Sequence, residues 1–194
     1  MPPEVRTATP AQRQRVVNTL LLAFAADPMM RWLMADSDRY VAAFGLLVDA
    51  MGGRAFALGG ADYLDDFSAA ALWLPPGERM GDDAFLPFFT AIAPSDGFAA
   101  EMAAVGELMA VYHPHEPHWY LPLLGVDAAR QGQGLGAILL KYALARADRE
   151  HMPAYLESSN PKNIPFYERH GFEVIGSIQA GSSPPLAPML RVAR

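Results

Sequence analysis

The sequence predicts an α/β domain built on a central sheet with helices on both faces. Three observations lead there. An apolar run, Trp119–Val126, is followed by a glycine-rich loop and then by a pattern of apolar residues every three or four positions. A second apolar run, Ala154–Ser158, precedes a short helix signal and a third run at 172–175. The first half of the chain joins a strand, several helical segments and a hairpin. With 194 residues and 52% hydrophobic content, one domain with a sizeable core is expected across 1–194.

Residues 5–8 read as a first strand. Residues 10–26 carry Val16, Val17, Leu20, Leu21 and Phe24 on one helical face, and Asp27-Pro28 breaks that helix. Two further helical pieces are expected over 29–34 and 39–51. A hairpin is expected through 54–58 and 68–74, closed by Pro75-Pro76-Gly77. The stretch 82–111 is rich in alanine and aromatics and reads as helical, with an interruption near Pro94. Phe85, Phe88, Phe89 and Phe98 there are candidates for the wall of a pocket holding an apolar or aromatic ligand. Plain core packing is the other reading of each.

The strand at 119–126 leads through a polar turn, 127–130, into Gln131-Gly132-Gln133-Gly134-Leu135-Gly136-Ala137. In the helix that follows, Leu135, Ile138, Leu139, Tyr142 and Ala143 form the apolar stripe, while Lys141, Arg146 and Arg149 lie off it. Glycines lack a Cβ, so a ligand can come close to the main chain. The first helical amides have no intrahelical acceptor, and the helix dipole adds partial positive charge. A diphosphate suits such a site; a flexible turn is the alternative. Gly132-x-Gly134-x-x-Ala137 also satisfies the dinucleotide-binding fingerprint, but the segment 127–131 separates it from its strand, and too little chain follows for further βαβ units. A nucleoside-triphosphate loop would need Gly-Lys-Ser/Thr, and Gly136 is followed by Ala137 and Ile138.

After the strand at 154–158 and a loop at 159–162, Asn163 is expected to cap a short helix with Pro165 in its first turn. Gly171 ends that helix, and a strand resumes at 172–175. Phe166 and Tyr167 are neighbours and cannot share a face, so Tyr167 either turns toward the strand ends or serves as a core aromatic. Pro122 inside the fourth strand removes a ladder donor, which central strands normally exclude, and can mark a bulge.

His113, His115, Glu116 and His118 raise the question of a metal. Zinc needs three or four ligands converging at about 2 Å, and Pro114 and Pro117 stiffen the segment against that, so no metal is expected. Without cysteine the chain has no disulfide, thiolate nucleophile or cysteine metal site. Residues 1–5 lack a basic-then-apolar leader, and the longest early apolar run, 20–26, is too short to span a bilayer. A cytoplasmic location with no membrane partner is therefore expected. A net charge of −6 argues against nucleic acid and favours a cationic ligand by long-range attraction, with solubility as the plainer reading.

Taken together, Leu124-x-Val126, Gln131-x-x-Gly134-x-Gly136, Asn163 and Tyr167-Glu-Arg-His-Gly-Phe172 resemble the acetyl-CoA-binding core of the GNAT superfamily of N-acetyltransferases. Ala71-Leu-Trp73-Leu-Pro75, the run 113–119 and Leu156-Glu-x-Ser-x-Pro161 add a likeness to the puromycin N-acetyltransferase-like branch. The resemblance implies a mixed, largely antiparallel sheet of six to seven strands, splayed between the fourth and fifth. Residues 113–194 would form the acetyl-CoA-binding core, and 1–112 mainly the acceptor side.

It further implies that the backbone of Leu124 to Val126 pairs with the pantetheine arm. Gln131, Gly132, Gln133, Gly134, Leu135, Gly136 and Ala137 would wrap the pyrophosphate, and Asn163 would hold the arm near its phosphate end. Tyr167 would bond the thioester sulfur and protonate the leaving thiolate. Glu116, ahead of His118, is the candidate base. The function expected is direct acetyl transfer from the cosubstrate acetyl-CoA, without a metal, to a primary amine of a small molecule, with a homodimer as one option for assembly. A non-catalytic acyl-CoA sensor and an acetyltransferase for protein N-termini or lysines stand as alternatives.

Overall fold

The computed structural model describes residues 3–80 and 83–194; the first residue of the stretch expected at 82–111 lies outside them. Seven strands form one sheet: β1 (Val5–Thr7), β2 (Ala61–Leu64), β3 (Ala69–Leu74), β4 (Trp119–Val126), β5 (Ala154–Ser158), β6 (Glu173–Val174) and β7 (Ala187–Arg191), in the order β1-β2-β3-β4-β5-β7-β6. Every pairing is antiparallel except β4 with β5. The mixed, mainly antiparallel sheet is thus as expected.

Helices α1 (Arg13–Ala23), α2 (Pro28–Leu33), α3 (Ser37–Gly52) and α4 (Ala55–Leu58) come before β2. Between β3 and β4 lie α5 (Leu86–Ile92) and α6 (Asp96–Tyr112), separated near Pro94. Helix α7 (Leu135–Arg149) joins β4 to β5, and α8 (Ile164–Glu168) follows β5. One face of the sheet packs Leu72, Leu74, Tyr120 and Tyr155 against Leu20 of α1 and Phe44 of α3. The other packs Trp73, Leu121 and Leu156 against Leu139 and Leu140 of α7, with Tyr167 and Phe172. All six residues of β3 are buried, because both of its faces are covered. At Gly125 of β4 a Cβ would come within 2.6 Å of the Ala23 methyl, so α1 crosses this strand closely enough to require glycine.

Several expectations are corrected. The segment 54–58 is helical, not a strand: α4 ends on Gly59 in the left-handed conformation (φ 72°), and the strand is β2. A short apolar run fits a buried helical turn as well as a strand. Tyr142 is 43% exposed instead of core-facing, and the buried stripe of α7 runs through Leu140, Leu144 and Ala147. Arg146 is turned inward and pairs with Asp62 of β2, which is completely buried. Burial raises the Asp62 carboxyl, and the guanidinium partly offsets this. Asn163 makes no side-chain cap; Asn160 caps the preceding turn, accepting from the Lys162 amide at 3.1 Å. β6 is shorter than the strand expected at 172–175, and β7, which sequence pattern did not signal, lies between it and β5.

Candidate active site

The site begins where the sheet opens. Pairing between β4 and β5 is confined to Trp119 with Ala154 and Tyr120 with Tyr155. Beyond that point β4 continues along β3 to Val126, and β5 continues along β7 to Ser158. From Leu121 and Leu156 onward each strand therefore has one edge without a strand partner, and the two diverge. Pro122 sits at this junction, opposite a register shift between Leu72 and Leu74 of β3. The loss of pairing and the bulge coincide, so the missing N–H leaves no ladder acceptor stranded.

At the outer end of the opening, three predicted elements converge. A Cβ on Gly136 would lie 3.4 Å from Val126 Cγ2 and 3.6 Å from both Leu124 Cδ2 and the Phe166 ring. The start of α7, the end of β4 and α8 are thus in contact distance of one another. Leu124 and Val126 are half-buried. Gly132 (φ 77°) and Gly134 (φ 79°) adopt left-handed conformations, and nothing lies within 4 Å of where their Cβ atoms would stand. The loop from Gln131 to Gly134 is exposed. Gln131 donates to the Val126 carbonyl at 3.3 Å, and Gln133 accepts from Arg130 at 3.2 Å, so both side chains brace the loop. Leu135 is buried against the sheet side of the turn. The amide of Ala137 already donates to the Gly134 carbonyl at 3.0 Å, so the amides of the preceding residues form the open part of this helix start. Asn163 is exposed at the same end.

Tyr167 is 7% exposed, held edge-on between Phe166 and Phe172 at 5.0 and 5.9 Å. Its hydroxyl has no hydrogen-bond partner among the described residues. Burial, and secondarily the Asp27 carboxylate, raise its pKa above the ordinary tyrosine value and keep it protonated. Asp27, read from sequence only as a helix breaker, caps α2 through the Met29 and Met30 amides at 3.0 and 3.1 Å. Its second oxygen accepts from Ser159 at 2.6 Å, tying α2 to the end of β5.

On the other face, the opening meets a cavity of about 670 Å³. Phe85, Phe88 and Phe89 line it as expected, whereas Phe98 packs edge-on against Trp32 at 4.8 Å. Glu157 of β5 is the carboxylate on its wall, and sequence reasoning had passed it over. Its side chain is 4% exposed; one oxygen accepts from the Tyr120 hydroxyl at 2.9 Å and the other has no partner. Burial first, and then this carboxylate, push the Tyr120 and Tyr155 hydroxyls up. His113 also lines the cavity, its Nδ1 4.0 Å from the unpartnered Glu157 oxygen. Glu116, by contrast, is exposed on the loop and outside the cavity wall; its carbonyl meets His118 Nδ1 at 2.7 Å. Among the described residues no three histidine or acidic side chains gather around a common point fit for a metal ion.

Residues 61–172 match the family model of the acetyltransferase (GNAT) family. The chain belongs to that family. An uncharacterized N-acetyltransferase of Schizosaccharomyces pombe is 31% identical over 145 residues, covering 65% of this chain and 57% of that protein. An acetyltransferase of Agrobacterium fabrum is 43% identical over 65 residues, 33% of this chain and 47% of the other. The chain thus spans only about half the length of these curated relatives. Among solved structures, one titled histone acetyltransferase HPA2 and related acetyltransferase, from Corynebacterium glutamicum, superposes with a TM-score of 0.74 at 26% identity, covering 100% of this chain and 98% of that one. Arylalkylamine N-acetyltransferase 2 of Aedes aegypti shares the fold (TM-score 0.63, 13% identity, full coverage of both chains). In this GNAT chain the family match covers the opened strands, the glycine loop and α8 together. Among the described residues no helix is long and apolar enough to cross a membrane.

Proposed function

We propose that this protein transfers an acetyl group from acetyl-CoA directly to a primary amine of a small molecule. One observation carries the reading. The diverging edges of β4 and β5 join a glycine loop and Tyr167 at one mouth to a walled cavity with a buried carboxylate at the other. A pantetheine arm can add to the open edge of β4 at Leu124 and Val126 as a further strand would. The amides from Gln131 to Gly136 then face the pyrophosphate, with Gly132 and Gly134 leaving room for it, Ala137 closing the first helical turn and Asn163 bordering the arm. The residues present fit the cosubstrate. The unbonded, protonated hydroxyl of Tyr167 is free to donate to the thioester sulfur.

For the base the exposed position of Glu116 is a poor support, and the role passes to Glu157 on the cavity wall. The absence of cysteine leaves no acyl-cysteine route, which supports direct transfer in a ternary complex. Walls from α2, α5 and α6, lined by apolar and aromatic side chains, support a small acceptor over a protein tail, despite the histone acetyltransferase named among the structural neighbours. The likeness to the puromycin-like branch leans the same way. A cytoplasmic location, independence from nucleic acid and a homodimeric assembly complete the proposal; the net charge of −6 supports the second. The test is to incubate the protein with acetyl-CoA and a mixture of amines and to follow free thiol and acetylated products by mass spectrometry. Acetylated amine with matching thiol release supports the reading; acetylation of peptide N-termini or lysines alone would replace it with the protein-acceptor alternative.

A further inference from the structure

The polar corner of the cavity has a fixed pattern of donors and acceptors. His118 Nδ1 lies 2.7 Å from the Glu116 carbonyl, which can only accept, so Nδ1 carries the hydrogen. Burial holds His118 neutral, and its Nε2 is then a lone pair. That nitrogen lies 3.2 Å from His113 Nε2, which must donate to it. The other ring nitrogen of His113, Nδ1, is turned toward Glu157. This nitrogen faces the unpartnered, buried oxygen of Glu157 across 4.0 Å, a gap too long for a hydrogen bond. The buried Glu157 carboxylate thus keeps one oxygen without a partner, beside the Tyr155 hydroxyl that its charge pushes up and the His113 ring. A buried carboxylate oxygen without a partner is costly, and a ligand that brings N–H donors and positive charge relieves it.

The rest of the wall has the opposite character. Met29, Met30, Met102 and Met109 line it with Phe85 and Phe88. Methionine sulfur packs well on aromatic rings and adapts to varied apolar shapes. Among the described lining residues Glu157 is the only carboxylate, and the charged side chain besides it is Arg79. A second cation on the ligand would meet Arg79 and thioethers, with no counter-charge.

We propose that the acceptor is a hydrophobic primary monoamine, its ammonium held between Glu157 and His113 and its aryl or alkyl body in the methionine–phenylalanine cavity. This deepens the acetyltransferase reading and rests on it. The amine enters carrying three protons on nitrogen. One passes to the Glu157–His113 pair and on to solvent, freeing the lone pair. Nitrogen then forms its bond to the thioester carbon; the carbon–sulfur bond breaks, the second proton leaves nitrogen as the amide forms, and sulfur takes a proton through Tyr167. One proton is released in net.

The experiment compares hexylamine, phenethylamine and hexamethylenediamine as acceptors, for wild type and Glu157→Gln, with CoA-dependent thermal stabilisation recorded for both proteins. The diamine matches hexylamine in length and adds only the second charge. Both monoamines should be acetylated with kcat/KM about tenfold or more above the diamine. Glu157→Gln should lower kcat/KM for the monoamines by about 30-fold or more while the CoA shift is kept. His113→Phe, which removes the ring nitrogen facing Glu157 but keeps a ring, should also weaken the monoamines with the CoA shift intact. Diamine turnover equal to that of hexylamine, wild-type monoamine activity in Glu157→Gln, or CoA binding with no monoamine turnover would each overturn the proposal. Loss of the CoA shift in wild type would instead sink the acetyltransferase reading beneath it.

Discussion

Replacing Tyr167 by Phe removes one oxygen and nothing else. The ring stays between Phe166 and Phe172, and no partner is left unpaired because the hydroxyl has none. Stability should therefore change by less than about 0.5 kcal/mol, well under the cost of stranding a buried polar group. The chemical effect is much larger. At ordinary values a tyrosine near 10 facing a thiol near 8.5 leaves full proton transfer uphill by about 2 kcal/mol. Burial and the nearby Asp27 carboxylate raise Tyr167 further, so the tyrosine contributes mainly as a donor whose hydrogen bond tightens as charge grows on sulfur. Loss of such a donor should lower kcat by about 10² to 10⁴, with little change in CoA affinity. Single-turnover kinetics at saturating acetyl-CoA, with an amine that wild type accepts, isolates the chemical step. A kcat within about twofold of wild type, with chemistry rate-limiting, would remove Tyr167 from the mechanism.

Glu116→Ala should leave kcat/KM within about twofold of wild type, because the side chain lies outside the cavity; a loss approaching that of Glu157→Gln would return the base role to Glu116. Arg146→Met should cost about 3–5 kcal/mol in urea unfolding by stranding the Asp62 carboxylate, and adding Asp62→Val should recover most of it. His118 is held below its ordinary value of 6.5 by burial, so the unfolded chain takes up that proton first. Stability should thus fall as pH drops below about 6.5, and the melting-temperature loss between about pH 7.5 and 5.5 should be smaller in His118→Asn, which keeps a donor for the Glu116 carbonyl.

The parts of this site that are local in sequence were legible. Glycine spacing between a strand and an amphipathic helix marked the tight turn that opens α7, and Pro165 and Gly171 bracketed α8 around Tyr167. What sequence could not supply were partners made by tertiary contact. Arg146 looked like a solvated charge because its partner, Asp62, lies on a strand far away in the chain and completely buried. The strand at β2 was missed for the same reason: a charged residue in its centre disguised it, and the apolar 54–58 offered a better local pattern. Glu157 stood in the sequence within an apolar strand and in the run Leu156-Glu-x-Ser-x-Pro161, with no role attached to it. Its significance comes from the loss of β4–β5 pairing beyond Tyr120 and Tyr155, which turns its face of β5 toward a cavity closed by helices from the first half of the chain. Its local sequence signal was an acidic residue inside an otherwise apolar strand, which is suspect wherever buried charge would be costly. Asp27, likewise, showed its helix-breaking role but not the bond to Ser159 that locks the cavity wall to the opened strand.

The account rests on the cosubstrate binding at the glycine loop, and thermal unfolding with and without CoA tests this most directly. CoA at about 100 times its dissociation constant should stabilise the fold by about 2.7 kcal/mol, a rise of about 5–10 °C for a domain of this size. Gly134→Asp, which sets a carboxylate into the open space beside the helix start, should abolish the rise. A wild-type protein whose melting temperature does not move with CoA, or a Gly134→Asp variant that responds like wild type, would contradict it.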